Sequence, residues 1–166
     1  MAAENLAISD YNAYADEYAV SVAWRERAEA GGDAYGILPD LLELLGDVGG
    51  CRVLDAGCGD GYLARVLAAR GAQVTGIDLA PRLIEMARSK NPGGDIDYRV
   101  GDLSQPLPDD AGRFGVVTSY LVLNDVRDVT CWLPWSGPAR RTVFFRWWRV
   151  SPSCRSPARR ASLALS

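Results

Sequence analysis

Residues 53–61 read Val-Leu-Asp-Ala-Gly-Cys-Gly-Asp-Gly, a short apolar run that ends on a carboxylate and enters three alternate glycines. Gly57, Gly59 and Gly61 let a backbone turn tightly and approach a ligand with no Cβ in the way. A helix starting just after them points its free N–H groups into the same space, which suits a carboxyl-ended or phosphorylated ligand. Asp55, at the end of the run, is suited to accept a hydrogen bond from an ammonium group or a water. Asp78 lies 21 residues beyond Gly57 at the end of a second apolar run, where a carboxylate can hold both hydroxyls of a ribose. Such a set calls for a nucleoside with an amino-acid-like tail.

These residues need a scaffold, and the hydrophobic pattern supplies one. Apolar residues at Ile8, Tyr11, Ala15, Tyr18 and Val22 predict an amphipathic helix, stopped by Gly31-Gly32. Ile37, Leu38, Leu41, Leu42 and Leu45 predict a second, ending at Gly46. The period then changes. Residues 52–56 read as a buried strand, 62–70 as a helix, 73–78 as a strand, and Pro81 opens a helix through Leu83, Ile84, Met86 and Ala87. Asn91-Pro92-Gly93-Gly94 breaks the chain before strands at 96–100 and 114–119. Strands alternating with helices predict an α/β, doubly wound (Rossmann-like) parallel sheet with N-terminal helices.

With those elements in place, 53–61 resembles motif I of the class I S-adenosylmethionine-dependent methyltransferases. Gly-Ile-Asp-Leu-Ala-Pro at 76–81 resembles that family's ribose-binding acidic turn, and Tyr-Arg-Val-Gly-Asp-Leu at 98–103 its adenine-binding acidic position. Residues 114–125 resemble the fourth strand and its outgoing loop. Tyr11-Asn-Ala-Tyr-Ala-Asp-Glu-Tyr18 is similar to the N-terminal helix of the small-metabolite and quinone-type members, the methyltransferase type 11 group. The resemblance covers about residues 8–129. It implies S-adenosylmethionine as cofactor, S-adenosylhomocysteine as its product, and methyl transfer to a small-molecule acceptor. It also implies a cofactor site made of Tyr18, Asp55, Gly57, Cys58, Gly59, Gly61, Tyr62, Asp78, Leu79, Asp102, Leu103 and Tyr120, with Tyr18 over the methionine end.

Transfer of a methyl group from a sulfonium asks chiefly for alignment, since the leaving group is already activated and departs neutral. The chain has no histidine, so a base, where the acceptor must lose a proton, has to be a carboxylate or a tyrosine. No catalytic residue is singled out. Cys51, Cys58, Cys131 and Cys154 form no C-x-x-C pair, which argues against a zinc site or a disulfide scaffold. Cys58 reads as a small residue filling tight space between two glycines rather than as a reactive thiol. No run of 18 apolar residues occurs and the N-terminus lacks a secretory pattern, so a cytoplasmic chain with no membrane partner is expected.

The 166 residues carry a net charge of -3 that hides an asymmetry: residues 130–166 hold seven arginines, four of the five tryptophans and no acid. Domain organisation follows: 1–129 a cofactor-binding core (1–48 N-terminal helices, 49–129 the Rossmann-like part), and 130–166 a basic, poorly ordered tail. The family continues after its fourth strand with a helix, a Pro-Gly-Gly-type turn and three more strands, none of which is recognisable here. Gly115 also stands where members commonly have aspartate. The tail reads as frameshifted or foreign sequence, or else as a basic nucleic-acid or membrane arm or a substrate lid, with only 142–145 suited to a strand. The sheet is therefore expected to be incomplete beyond strand four, leaving an edge for self-association; nucleic acid is not the expected partner. Two other functions compete: a non-catalytic remnant that binds the cofactor or its product, and a nicotinamide-dependent oxidoreductase, which the glycine spacing and Asp55 disfavour.

Overall fold

The computed structural model describes residues 14–18, 20, 38–103, 105, 114–120 and 122, together with the backbone of 141–145 and 163–164. In chain order the elements are α1 (Leu38–Leu45), β1 (Arg52–Ala56), α2 (Tyr62–Ala68), β2 (Gln73–Asp78), α3 (Pro81–Ser89), β3 (Asp97–Val100), β4 (Val116–Tyr120), β5 (Arg141–Phe145) and β6 (Leu163–Ala164). The six strands form one sheet in the order β3-β2-β1-β4-β5-β6. The first five run parallel, and only β6 is antiparallel to its neighbour.

Each element has a local cause. In α1 the spacing of Leu38, Leu41 and Leu45 puts all three on the buried face, and Gly46 ends the helix in the left-handed region at φ 62°. β1 is buried from Val53 to Ala56 with no polar-out alternation, as a central parallel strand covered on both faces must be. Pro81 occupies the first turn of α3, where the missing N–H costs nothing. The core gathers Leu38, Leu41 and Leu45 of α1, Leu63 and Leu67 of α2, and Ile84 of α3 over Val53, Val74 and Val116 of the sheet. Each such side chain contributes roughly 1.5–3 kcal/mol on burial, which fixes the helices to the sheet.

Of the predicted N-terminal helix, residues 14–18 and 20 are described, 14 as a turn and the others as helix; the rest of 8–22 lies outside the described residues. Ala15 packs on Ala80 and Leu83, with Tyr18 and Met86 beside them, so this turn lies across the start of α3. Asp16 and Arg82 pair there at 2.5 Å, both exposed, and such a pair adds little to stability.

The expectation of a bare edge beyond strand four is corrected. β4 pairs along its whole length with β5, Val116 opposite Arg141 through Tyr120 opposite Phe145, and β5 in turn pairs with β6. The segment 142–145, the one stretch of the tail suited to a strand, supplies it; β6 at 163–164 carried no sequence signal. Self-association through unpaired β4 backbone thereby loses its basis. The remainder of the tail lies outside the described residues.

Candidate cofactor site

The strand order reverses between β1 and β4, and in an open α/β sheet the crevice at the carboxyl ends of such strands is where ligands bind. The chain from Ala56 to Tyr62 crosses that crevice. Gly57 and Cys58 both donate their N–H groups to the carbonyl of Ile77, at 2.8 and 3.0 Å, extending the β1–β2 pairing into the loop. Gly57 is at φ 76°, and a Cβ there would collide with the side chain of Val122, which follows β4. Gly61 is at φ 81° and caps α2; a Cβ on it would run into the ring of Tyr98 from β3. The glycines are thus demanded by backbone sign and by neighbours packed beneath and beside the loop.

Asp78 lies at the end of β2. Its Oδ2 accepts the Gly59 N–H at 2.8 Å and its Oδ1 the Ala80 N–H at 2.9 Å, so one carboxylate holds both the glycine loop and the entry to α3. Burial raises its pKa, against the pull of the N–H groups of Ala80, Gly59 and Leu79, and the nearby charge of Asp60 adds to the rise. Gly101, just past β3, donates to the carbonyl of Asp78 at 2.9 Å. That bond brings the loop holding Asp102 and Leu103 to the same end of the sheet. Asp102 is exposed there and Leu103 is buried.

Asp55 is almost fully buried at the end of β1. The Thr118 hydroxyl on β4 lies 3.1 Å from its Oδ1 and 3.2 Å from the Leu54 carbonyl, while Oδ2 has no partner among the described residues. Burial pushes the Asp55 pKa up to about 7; the Thr118 hydroxyl and the Ala64 N–H pull it down, and Asp78 pushes it further up. A buried carboxylate with an unfilled oxygen at a ligand crevice is suited to a cationic group.

Cys58 is buried, its thiol directed at the Gly59 carbonyl 3.8 Å away, and burial beside Asp55 and Asp78 raises its pKa well above the usual thiol value. The space-filling reading fits this; activation by the helix end does not. The Tyr18 hydroxyl stands 3.1 Å from where a Cβ of Gly59 would be, so the N-terminal turn reaches over the loop. Tyr120 is half-buried at the end of β4, against the main core. Tyr62 turns another way: with Leu38, Pro39, Leu42, Glu43, Val66 and Arg70 it lines a groove of about 610 Å³ between α1 and α2. The structure therefore gathers Tyr18, Asp55, Gly57, Cys58, Gly59, Gly61, Asp78 and Leu79 around one loop, with Asp102 and Leu103 beyond β2 and Tyr62 facing α1.

Sequence reading missed Thr118, Val122, Tyr98 and the pair Asp60–Lys90 as parts of this site. Thr118 becomes visible only through register, since Asp55 sits opposite it across the β1–β4 pairing. Tyr98 read as an ordinary strand residue, yet its ring fills the space under two glycines, Gly61 and Gly76.

Comparison with known proteins matches this geometry. A family model described as a methyltransferase domain matches residues 54–133. A ubiquinone biosynthesis O-methyltransferase of Xanthomonas axonopodis pv. citri is 47% identical over 83 residues, 49% of this chain and 35% of that protein. Over these residues the chain is similar to class I S-adenosylmethionine-dependent methyltransferases. Among solved structures, an S-adenosylmethionine-dependent methyltransferase from Mesorhizobium loti is similar to this chain with TM-score 0.57 and 33% identity, over 65% of this chain and 52% of that one. A complex of DhpI with SAH is similar with TM-score 0.61 and 26% identity, over 82% and 65%. The chain spans about a third of the curated relative it matches. Among the described residues no helix is long and apolar enough to cross a membrane.

Proposed function

We propose that the chain binds S-adenosylmethionine at the carboxyl ends of β1 and β2 and directs its methyl group to a small-molecule acceptor. The observation that carries this reading is the pairing of an anchored carboxylate, Asp78, with a buried and half-unpartnered one, Asp55, on either side of a left-handed glycine loop. Asp78 keeps lone pairs for the two ribose hydroxyls although each oxygen already accepts an N–H. The free Oδ2 of Asp55 takes the ammonium of the methionine moiety, directly or through a water, and so gains the partner that a buried carboxylate lacks here. Asp102 receives the adenine side, Leu79 and Leu103 supply apolar walls, and Tyr18 closes over the loop.

What these residues do chemically is hold and orient. Methyl transfer requires the acceptor atom in line with the bond from sulfur to methyl, and bulk water kept from the sulfonium. The acceptor class follows from the relative named for ubiquinone biosynthesis: a hydroxyl on an aromatic or quinol ring. Its proton leaves to a carboxylate or tyrosine of the acceptor side. The reading takes the chain as cytoplasmic, alongside its diffusible cofactor, with no nucleic-acid partner. A methyl-acceptor screen with labelled S-adenosylmethionine and hydroxylated aromatic compounds tests the reaction: transfer to such a ring supports it, and cofactor binding without transfer to any acceptor leaves only the binding half standing.

A further inference from the structure

Asp60 sits in the middle of the glycine loop, yet its carboxylate turns away from solvent, with its side chain 2% exposed. It is met there by the Lys90 ammonium, 2.5 Å from Oδ2, which reaches back from the C-terminal end of α3. Lys90 is the only lysine among 18 basic residues. The backbone of Asp60 is held as well, since Arg65 of α2 donates to its carbonyl at 2.7 Å. The next residue, Gly61, accepts a long bond from the Tyr98 hydroxyl at 3.4 Å. The loop is thus pinned from α3, α2 and β3 on the side away from the crevice.

We propose that Lys90 is a positioning residue for the cofactor site: through Asp60 it locks the 57–61 loop in the ligand-ready conformation before any ligand arrives. This rests on the cofactor reading of the loop. Three left-handed residues in five, at φ 76°, 55° and 81°, make a backbone with many alternatives once its tether is cut. An ion pair between a buried carboxylate and a largely sheltered ammonium selects one of them, because every alternative leaves Asp60 buried and unpaired or drags it into water. Asp78 fixes the loop at Gly59 from the ligand side, and Lys90 fixes it at Asp60 from behind. Lys90 itself, behind the loop on α3, acts only through Asp60.

The test uses the full chain with Lys90→Met, Lys90→Arg and the double variant Asp60→Asn/Lys90→Met, each titrated calorimetrically with S-adenosylhomocysteine well below its unfolding temperature. Exchange of the amides at 59–61 is followed without ligand. Lys90→Met is expected to weaken binding about tenfold and to speed loop exchange, and Lys90→Arg to keep affinity within about threefold. The double variant leaves no buried unpaired charge, so it folds even where Lys90→Met does not, and it too should bind about tenfold more weakly. Wild-type affinity in the double variant with unchanged loop exchange overturns the proposal, as does an arginine variant as poor as the methionine one. Should the wild-type chain bind no S-adenosylhomocysteine, the cofactor reading fails on its own, and loop exchange alone decides the role of Lys90: faster in the variants upholds it, unchanged refutes it.

Discussion

The Gly59 N–H donates to the Asp78 carboxylate at 2.8 Å, joining the end of β2 to the glycine loop. With the ribose role proposed for it, Asp78 does two jobs. Replacing it with alanine removes a ribose partner and also releases Gly59 and Ala80, so binding and fold stability fall together. S-adenosylhomocysteine affinity should drop by roughly 1.5–3 kcal/mol, the range for hydrogen bonds to a charged acceptor. Calorimetric titration with a thermal melt on the same sample checks this; a folded Asp78→Ala with wild-type affinity removes the ribose role.

Gly57 makes a separable prediction. Gly57→Ala adds a side chain at φ 76° and drives it into Val122. The backbone part costs about 1–2 kcal/mol for an L residue in the left-handed region. The steric part is relieved by Val122→Ala, so the double variant should recover some stability but not all. Recovery to the wild-type melting temperature would show that the backbone sign at this position is unimportant.

Asp55 gives a pH signature. Its carboxyl, ordinarily at 3.8, stands at about 7 in the folded chain because it is buried. A group raised on folding stabilises the fold fully below its unfolded value, and that contribution is lost as pH rises through the folded one. The window is therefore pH 4 to 7, and the linkage is worth at most ~4 kcal/mol. Asp55→Asn cannot ionise, so its melting temperature should gain on wild type between pH 5 and pH 8, with the larger advantage at pH 8. Equal differences from wild type at both values would mean that Asp55 does not titrate in this range.

The same group couples to the ligand. An ammonium placed against Oδ2 favours the ionised carboxylate, so binding at pH 6.5 should release protons, detectable as a dependence of the calorimetric heat on buffer ionisation. Asp55→Asn should abolish that dependence. A buffer dependence retained in the variant would assign the proton to another group.

Much of this architecture is written in the residues that repeat. α1, α2, α3 and β1 to β4 all follow from apolar periods broken by Gly46, Gly71 and the 91–94 turn, and the glycine loop follows from its own spelling. Two kinds of feature were hidden. Partners set by strand register or by packing across elements, such as Thr118 for Asp55, Tyr98 under Gly61 and Lys90 for Asp60, have no local signature, because the contacting residues lie 63, 37 and 30 positions apart. β5 is a mixed case: 142–145 reads locally as a strand, but it lies in a stretch dense in arginine, tryptophan and proline, and its pairing along the whole of β4 has no local signature.

The central claim is that the loop between β1 and α2 takes an adenosine-linked amino acid, and titration of the purified chain with S-adenosylhomocysteine and, separately, NAD measures it most directly. One site for S-adenosylhomocysteine with micromolar affinity is expected, weakened in Asp78→Ala and lost in Gly57→Val, with no heat from NAD. A folded chain that binds NAD, or that gives no heat with S-adenosylhomocysteine, would contradict it.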